Sequence, residues 1–204
     1  LDWGILKLDN NGVSQWAKLM DEGASRDEAY DVVQTIDGGL AVLGITTNYQ
    51  GASLEYKMTL TTFDGSGNRL SYHVYDYFEQ LQPRSLTQTA DGGFVLTGST
   101  YGLKTLLVKT DATGNIQWQK LGSGAITQEG FGLAPAPGGM LYFSAFDFTH
   151  KSTIAKISPL TGVGICTEEP LQLSPASYQP PIVTPQVTQF PSTIVVGPLN
   201  YTTH

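Results

Sequence analysis

The sequence predicts an all-β protein built from repeated antiparallel hairpins, on three observations. Two phrases alternate along the chain, each centres on a glycine-closed turn, and the residues flanking the turns are strand formers. The first phrase is Val33-Gln34-Thr35-Ile36-Asp37-Gly38-Gly39-Leu40-Ala41-Val42-Leu43-Gly44. It returns as Leu86-Thr87-Gln88-Thr89-Ala90-Asp91-Gly92-Gly93-Phe94-Val95-Leu96-Thr97-Gly98 and, worn down, between Gly132 and Phe143. The second phrase is Leu6-Lys7-Leu8-Asp9-Asn10-Asn11-Gly12-Val13-Ser14-Gln15-Trp16. It is echoed from Val108 to Trp118, from Thr62 to Leu70 and, with an altered turn, from Ala155 to Gly162. Self-similarity at a fixed period marks an array of supersecondary units.

The elements follow in order. A hairpin from Trp3 to Leu19 turns at Asp9, and Glu22 to Tyr30 reads as a loop between units. Full units then run from Tyr30 to Val74, from Pro83 to Lys120 and from Phe131 to Cys166, with turns at Asp37, Asp64, Asp91 and Asp111. Asp-Gly-Gly supplies the positive-φ positions of a tight hairpin, and Asp-x-x-Gly suits a type I turn closed by a left-handed glycine. A β-branched residue at Gly38 or Gly92 is therefore expected to cost on the order of 1 kcal/mol or more, read as a lowered midpoint in thermal unfolding. Runs such as Leu40-Ala41-Val42-Leu43 and Thr105-Leu106-Leu107-Val108 are apolar on both faces, as strands sandwiched between neighbouring sheets require.

The spacing gives the period. Asp91 follows Asp37 by 54 residues and Pro137 follows Asp91 by 46, while Asp64 follows Asp9 by 55 and Asp111 follows Asp64 by 47. Both phrases are longer by the same eight residues in the first full unit, which assigns an insertion to the loops around Asn48 to Leu54 and Tyr75 to Gln82. Four strands in roughly 45 to 50 residues match one blade of a β-propeller. The expected fold is a β-propeller-type array of four-stranded antiparallel blades, about three and a half over residues 1–166 when the hairpins are counted, followed by an extended tail over 167–204. A propeller needs about four blades to close. The short last strand, Val163-Gly164-Ile165-Cys166, leaves an edge expected to need a partner.

The alternation of Trp3-Gly4-Ile5-Leu6-Lys7-Leu8-Asp9-Asn10-Asn11-Gly12 with Gln34-Thr35-Ile36-Asp37-Gly38-Gly39 resembles the repeats of secreted bacterial β-propeller proteins. Their blades pair Gln-Thr-x-Asp-Gly-Gly with Lys-Leu-Asp-x-x-Gly-Asn-x-x-Trp hairpins. The resemblance covers about residues 1–166 and implies architecture and an extracellular or cell-surface location more than any activity.

Eleven basic against 18 acidic residues give a net charge of −7, a balance that argues against nucleic acid and anionic membranes. No apolar run reaches the length of a membrane span. The chain begins at Leu1 without Met, as expected of processing or truncation. The single cysteine, Cys166, forbids an internal disulfide, and His73, His150 and His204 have no ligand neighbours at metal-binding spacing. The turns at Asp9 and Asp64 carry oxygen ligands beside glycine, yet neither completes an EF-hand pattern, so these aspartates are expected to cap their own turns. Trp16 and Trp118 occupy one repeat position and are expected to pack at blade edges instead of stacking on sugars. Asp147, Glu79 and Glu129, unique to single blades, are expected to be solvated loop charges. No nucleophile elbow, phosphate loop or Ser-His-Asp set is written, so neither catalytic residues nor a cofactor are expected.

The composition changes at Thr167 to a Pro- and Thr-rich tail, normally a linker or stalk. Within it Ile182, Val183, Val187, Phe190, Ile194, Val195 and Val196 form β-branched and apolar runs bounded by prolines, suited to edge pairing. Strand addition to another copy of the chain is the expected use of this segment. Asn200-Tyr201-Thr202 is an N-glycosylation sequon. The function expected is a non-enzymatic extracellular structural or adhesive module that assembles through its tail. A glycan- or peptide-binding propeller of a larger secreted protein, with a glycan or a cell-surface protein as partner, is the alternative, and a fragment of a propeller enzyme the third reading.

Overall fold

The computed structural model describes residues 3–20, 26–48, 55–77, 79–102, 104–122, 128–147, 152–162, 168–169 and 174–175. Among these there is no helix, and every strand pairing is antiparallel. Four sheets follow one another along the chain. Sheet A is the hairpin β1 (Trp3–Leu8) and β2 (Ser14–Met20). Sheet B runs in order through β3 (Asp27–Gln34), β4 (Leu40–Asn48), β5 (Glu55–Phe63) and β6 (Arg69–Asp76). Sheet C repeats this with β7 (Leu81–Gln88), β8 (Phe94–Thr100), β9 (Thr105–Thr110) and β10 (Ile116–Gly122). Sheet D holds β11 (Gln128–Ala136), β12 (Met140–Asp147) and β13 (Ser152–Ile157). Two short strands of the tail add to outer edges, β14 (Glu168–Glu169) to β10 and β15 (Ser174–Pro175) to β6. The expected final strand at Val163 to Cys166 lies outside the described residues, as do residues 49–54 and 78 of the loops assigned to the insertion.

The sheets stack face on face in chain order. Strand alternation sends Ala41 and Leu43 to one side of sheet B and Val42 to the other. Ala41, Leu43, Met58, Leu60 and Tyr75 meet Leu81, Leu86, Phe94, Leu96, Leu106, Val108 and Leu121 of sheet C in the largest core cluster. The opposite face of sheet C sends Val95 and Leu107 against Leu141, Phe143, Ala145 and Ile157 of sheet D. A smaller cluster joins Trp3 and Met20 of sheet A to Val42 and Phe63 of sheet B. Strands β8 and β9 are buried along their whole length, as two-sided apolar runs require. Among the described residues, no strand of sheet A pairs with one of sheet D.

The turns are built as their sequences dictate. Gly38 and Gly92 adopt φ of 83° and 80°, and the second-phrase glycines Gly12, Gly67 and Gly114 adopt 78°, 79° and 90°. Asp9, Asp64 and Asp111 each accept two backbone N–H bonds, from Asn11 and Val13, Ser66 and Asn68, and Thr113 and Asn115. Asn68 and Asn115 also donate their side-chain amides to the other carboxylate oxygen. These are the self-capping aspartates the sequence leads one to expect.

Such bonds favour the charged carboxylate. Asp64 is lowered by Asn68 first, and Asp37 by the Thr35 hydroxyl first. At Asp111 burial acts upward, but the bonds from Thr113 and Asn115 outweigh it and hold the group at about 2. A carboxyl depressed in the folded state contributes stability that is fully present above its unfolded value, about 3.9, and is lost as pH falls through the folded value. The melting temperature is expected to fall as pH drops from about 4 toward 2. The fall should be shallower in Asp111→Asn, and a parallel profile would contradict the assignment.

Three strands begin earlier than the sequence suggests. β3, β7 and β11 start at Asp27, Leu81 and Gln128, not at Tyr30, Pro83 and Phe131. The register shifts between Ala29 and Asp31, between Pro83 and Ser85, and between Gly130 and Gly132. Tyr30, Arg84 and Phe131 are thus the extra residues of three equivalent β-bulges. In two of the sheets a glycine stands opposite the bulge, because a Cβ at Gly44 would lie 2.5 Å from the Glu28 carbonyl oxygen and one at Gly98 2.2 Å from that of Gln82.

Candidate functional site

The bulges matter because a bulge re-aims a side chain out of the pleat. The first strands of sheets B, C and D are neighbours, and their bulged residues form a row across the stack. Arg84 occupies its middle. Its guanidinium lies 5.3 Å over the Phe131 ring on one side, and its charge acts on the Tyr30 hydroxyl on the other. Arg84 Nη2 lies 3.2 Å from Glu129 Oε2 in an ion pair. Tyr30 donates its hydroxyl to Glu28 Oε2 at 3.1 Å, and Glu28 is in turn paired with Arg26. Burial, then the Glu28 bond, raises the Tyr30 hydroxyl above its ordinary value, so it stays a neutral donor.

The row is anchored from below. Asp31 Oδ2 accepts from the Ser85 hydroxyl at 2.9 Å and from the Leu86 N–H at 2.8 Å, tying β3 to β7. Above this anchor the rings stay open, with Tyr30 39% and Phe131 44% exposed. Arg84 Nε is buried and has no hydrogen-bond partner among the described residues. Chemically, the row offers two part-exposed aromatic rings, a part-exposed guanidinium between them and two carboxylates, Glu129 on Arg84 and Glu28 on Tyr30. Sequence reading assigns Glu129 to the solvated loop charges. The structure corrects this, because Glu129 is buried in β11 and held by Arg84. Glu79 accepts from the Gly102 N–H at 3.2 Å, and the side chain of Asp147 lies outside the described set.

The other residues singled out by sequence serve the stacking of sheets. A Cβ on Gly67 would lie 3.1 Å from the Trp16 ring, one on Gly162 3.0 Å from Trp118, and one on Gly114 2.4 Å from His73. Each outer strand therefore lays a ring over the turn glycine of the next sheet. Trp118 Nε1 also donates to the Pro159 carbonyl at 2.9 Å, and His73 stacks on Tyr75. The indoles thus pack at sheet edges, as expected. Tyr75 donates to the Gly114 carbonyl at 2.7 Å, and burial pushes its hydroxyl far upward. Cys166, His150, His204, Asn200 and the assembly residues Ile182, Val183, Val187, Phe190, Ile194, Val195 and Val196 all lie outside the described residues.

A cleft of about 660 Å³ lies between sheets A and B, lined by Ile5, Leu8, Asn11, Val32 and Gln34 among others. Val32 is exposed there, whereas its counterpart Leu86 in sheet C is buried against sheet B. The difference follows from sheet A having two described strands where sheets B and C have four. The cleft gathers no charged set beyond Lys7 and Asp9.

Among the described residues, no group of three or more His, Cys, Asp or Glu side chains is placed to hold a metal ion. No helix among them is long and apolar enough to cross a membrane. No protein-family model matches the chain, and no curated protein matches it.

Proposed function

We propose that the chain is a β-propeller-type, non-enzymatic binding module of a secreted or cell-surface protein, which presents the bulged row of its inner strands to a glycan or peptide. One observation carries this reading. Three equivalent bulges bring different side chains, Tyr30, Arg84 and Phe131, to one line, with the rings exposed and the part-exposed Arg84 guanidinium between them. A conserved scaffold with variable residues at one repeated position is how repeat arrays build recognition surfaces. Apolar faces beside a few convergent polar groups are the ordinary make-up of a ligand site. The intact chain, applied to glycan and peptide arrays, is expected to retain a ligand that Tyr30→Ala and Phe131→Ala both lose. Equal binding by both variants and the parent would reject the row as the binding face.

A second reading, assembly through the tail, is favoured by the end sheets. Leu6 and Leu8 of sheet A and Tyr142 and Ile154 of sheet D leave apolar side chains exposed at the two ends of the stack. In this reading the runs at Ile182-Val183, Val187 to Phe190 and Ile194 to Val196 add strands to another copy. Removing residues 167–204 should then leave the sheets folded but reduce the mass in sedimentation to that of a monomer. A chain already monomeric with its tail intact rejects this reading.

A further inference from the structure

The charges around the row discriminate between ligand classes. Arg26 and Arg84 face Glu28 and Glu129, and the Asp31 carboxylate lies just below, engaged by Ser85 and Leu86. An anionic ligand drawn to the part-exposed Arg84 guanidinium would meet three carboxylates, and a cationic one drawn to those carboxylates would meet two guanidinium groups. Like-charge juxtaposition of this kind is the usual device for rejecting a partner. A hydroxyl escapes both penalties, because it accepts from a guanidinium N–H with its lone pairs and donates its own proton to a carboxylate. Hydroxyls on a ring with an apolar C–H face would meet the Arg84 guanidinium and the part-exposed Glu28 while the ring lies on Tyr30 or Phe131.

We propose that the row Tyr30, Arg84, Phe131, flanked by Glu28 and Glu129, is a subsite for a neutral saccharide ring within a longer glycan. This rests on the reading of the row as a binding face and names its ligand. The Arg84 guanidinium, held by Glu129, and the Glu28 carboxylate fix the orientation of the hydroxyls, and the two exposed rings select a flat pyranose face. Tyr30 contributes its ring, while its hydroxyl is already committed to Glu28.

The test titrates the full chain, by calorimetry and by nitrogen-15 NMR of the arginine Nε–H groups, with three probes. These are a set of neutral tetrasaccharides (gluco-, xylo- and N-acetylglucosamine-based), tetragalacturonate, and a tetralysine peptide. Binding of a neutral tetrasaccharide that shifts the Arg84 Nε–H signal, weakened about tenfold or more by Phe131→Ala and by Tyr30→Ala but little by Tyr30→Phe, is the expected result. Both alanine variants change exposed rings, and their melting temperatures report whether the fold survives. If tetragalacturonate or tetralysine shifts the Arg84 signal and no neutral sugar does, the saccharide assignment is overturned while the binding face stands. If no probe shifts it, or a sugar binds with equal affinity to both alanine variants, the subsite is overturned, and array binding insensitive to the same variants overturns the face as well.

Discussion

Asp91→Ala is expected to destabilise the protein by about 3 to 5 kcal/mol, while Lys109→Met is expected to be close to neutral. Lys109 is the lysine of the second phrase, but in sheet C it is only 1% exposed, buried on β9 behind the Asp91 turn. Its ammonium donates to Asp91 at 3.1 Å and to the Thr110 carbonyl at 2.7 Å. Removing the carboxylate leaves an uncompensated buried charge, whereas removing the lysine leaves a partly exposed aspartate that water can solvate. Sheet B supplies the control. Asp37 makes the same turn contacts, accepting from Thr35 Oγ1 and Gly39 N as Asp91 accepts from Thr89 Oγ1 and Gly93 N. The position equivalent to Lys109 is held there by Thr62, bonded to Ser71. Asp37→Ala should therefore cost only the turn contacts, and clearly less than Asp91→Ala. Chemical denaturation of the three variants checks this, and equal losses from Asp37→Ala and Asp91→Ala would show that the buried ammonium contributes nothing.

Gly93→Ala is expected to cost about 3 kcal/mol, more than Gly92→Ala one residue earlier, although only Gly92 has a positive φ. A Cβ on Gly93 would lie 2.2 Å from the Thr110 carbonyl oxygen, and one on Gly39 2.2 Å from that of Phe63. Both carbonyls belong to the ends of paired strands, so neither can yield without opening the ladder. At Gly38 a Cβ meets nothing within 4 Å, and at Gly92 only the Ala112 methyl at 3.6 Å. The two glycines of each Asp-Gly-Gly turn are thus required for different reasons, the first by backbone conformation and the second by close approach. For a domain of this size the Gly93→Ala loss corresponds to roughly 10 °C in thermal unfolding. A smaller effect at Gly93 than at Gly92 would refute the close-approach argument.

The hairpins were legible in the sequence because turn chemistry is local. Asp-Gly-Gly and Asp-x-x-Gly state their φ requirements within four residues, and Leu40 to Leu43 declares burial on both faces. The starts of β3, β7 and β11 were not, because an extra residue interrupts the period-two alternation by which a strand is recognised. For the same reason the candidate site was hidden. Tyr30, Arg84 and Phe131 share a position but no chemistry, so a search for similarity among repeats passes over them. A single arginine set in Pro83-Arg84-Ser85, between Leu81 and Leu86, was the signal present, together with the closing glycines Gly44 and Gly98 that accommodate the bulges. Glu129 was misread because its partner stands 45 residues away in the chain.

The rings laid over turn glycines at Trp16 and Gly67, His73 and Gly114, and Trp118 and Gly162 tie each sheet to the next in chain order. Stability in such a stack is a chain of nearest-neighbour couplings, each with its own strength. The coupling of sheets B and C is the broadest and that of sheets A and B the narrowest. Thermal energy therefore opens the molecule like a zipper from the sheet A end, with amide protons of β1 and β2 exchanging with solvent long before those of β8 and β9. The row at Tyr30, Arg84 and Phe131 spans the firmest part of this ladder, so its geometry is preserved while the ends breathe.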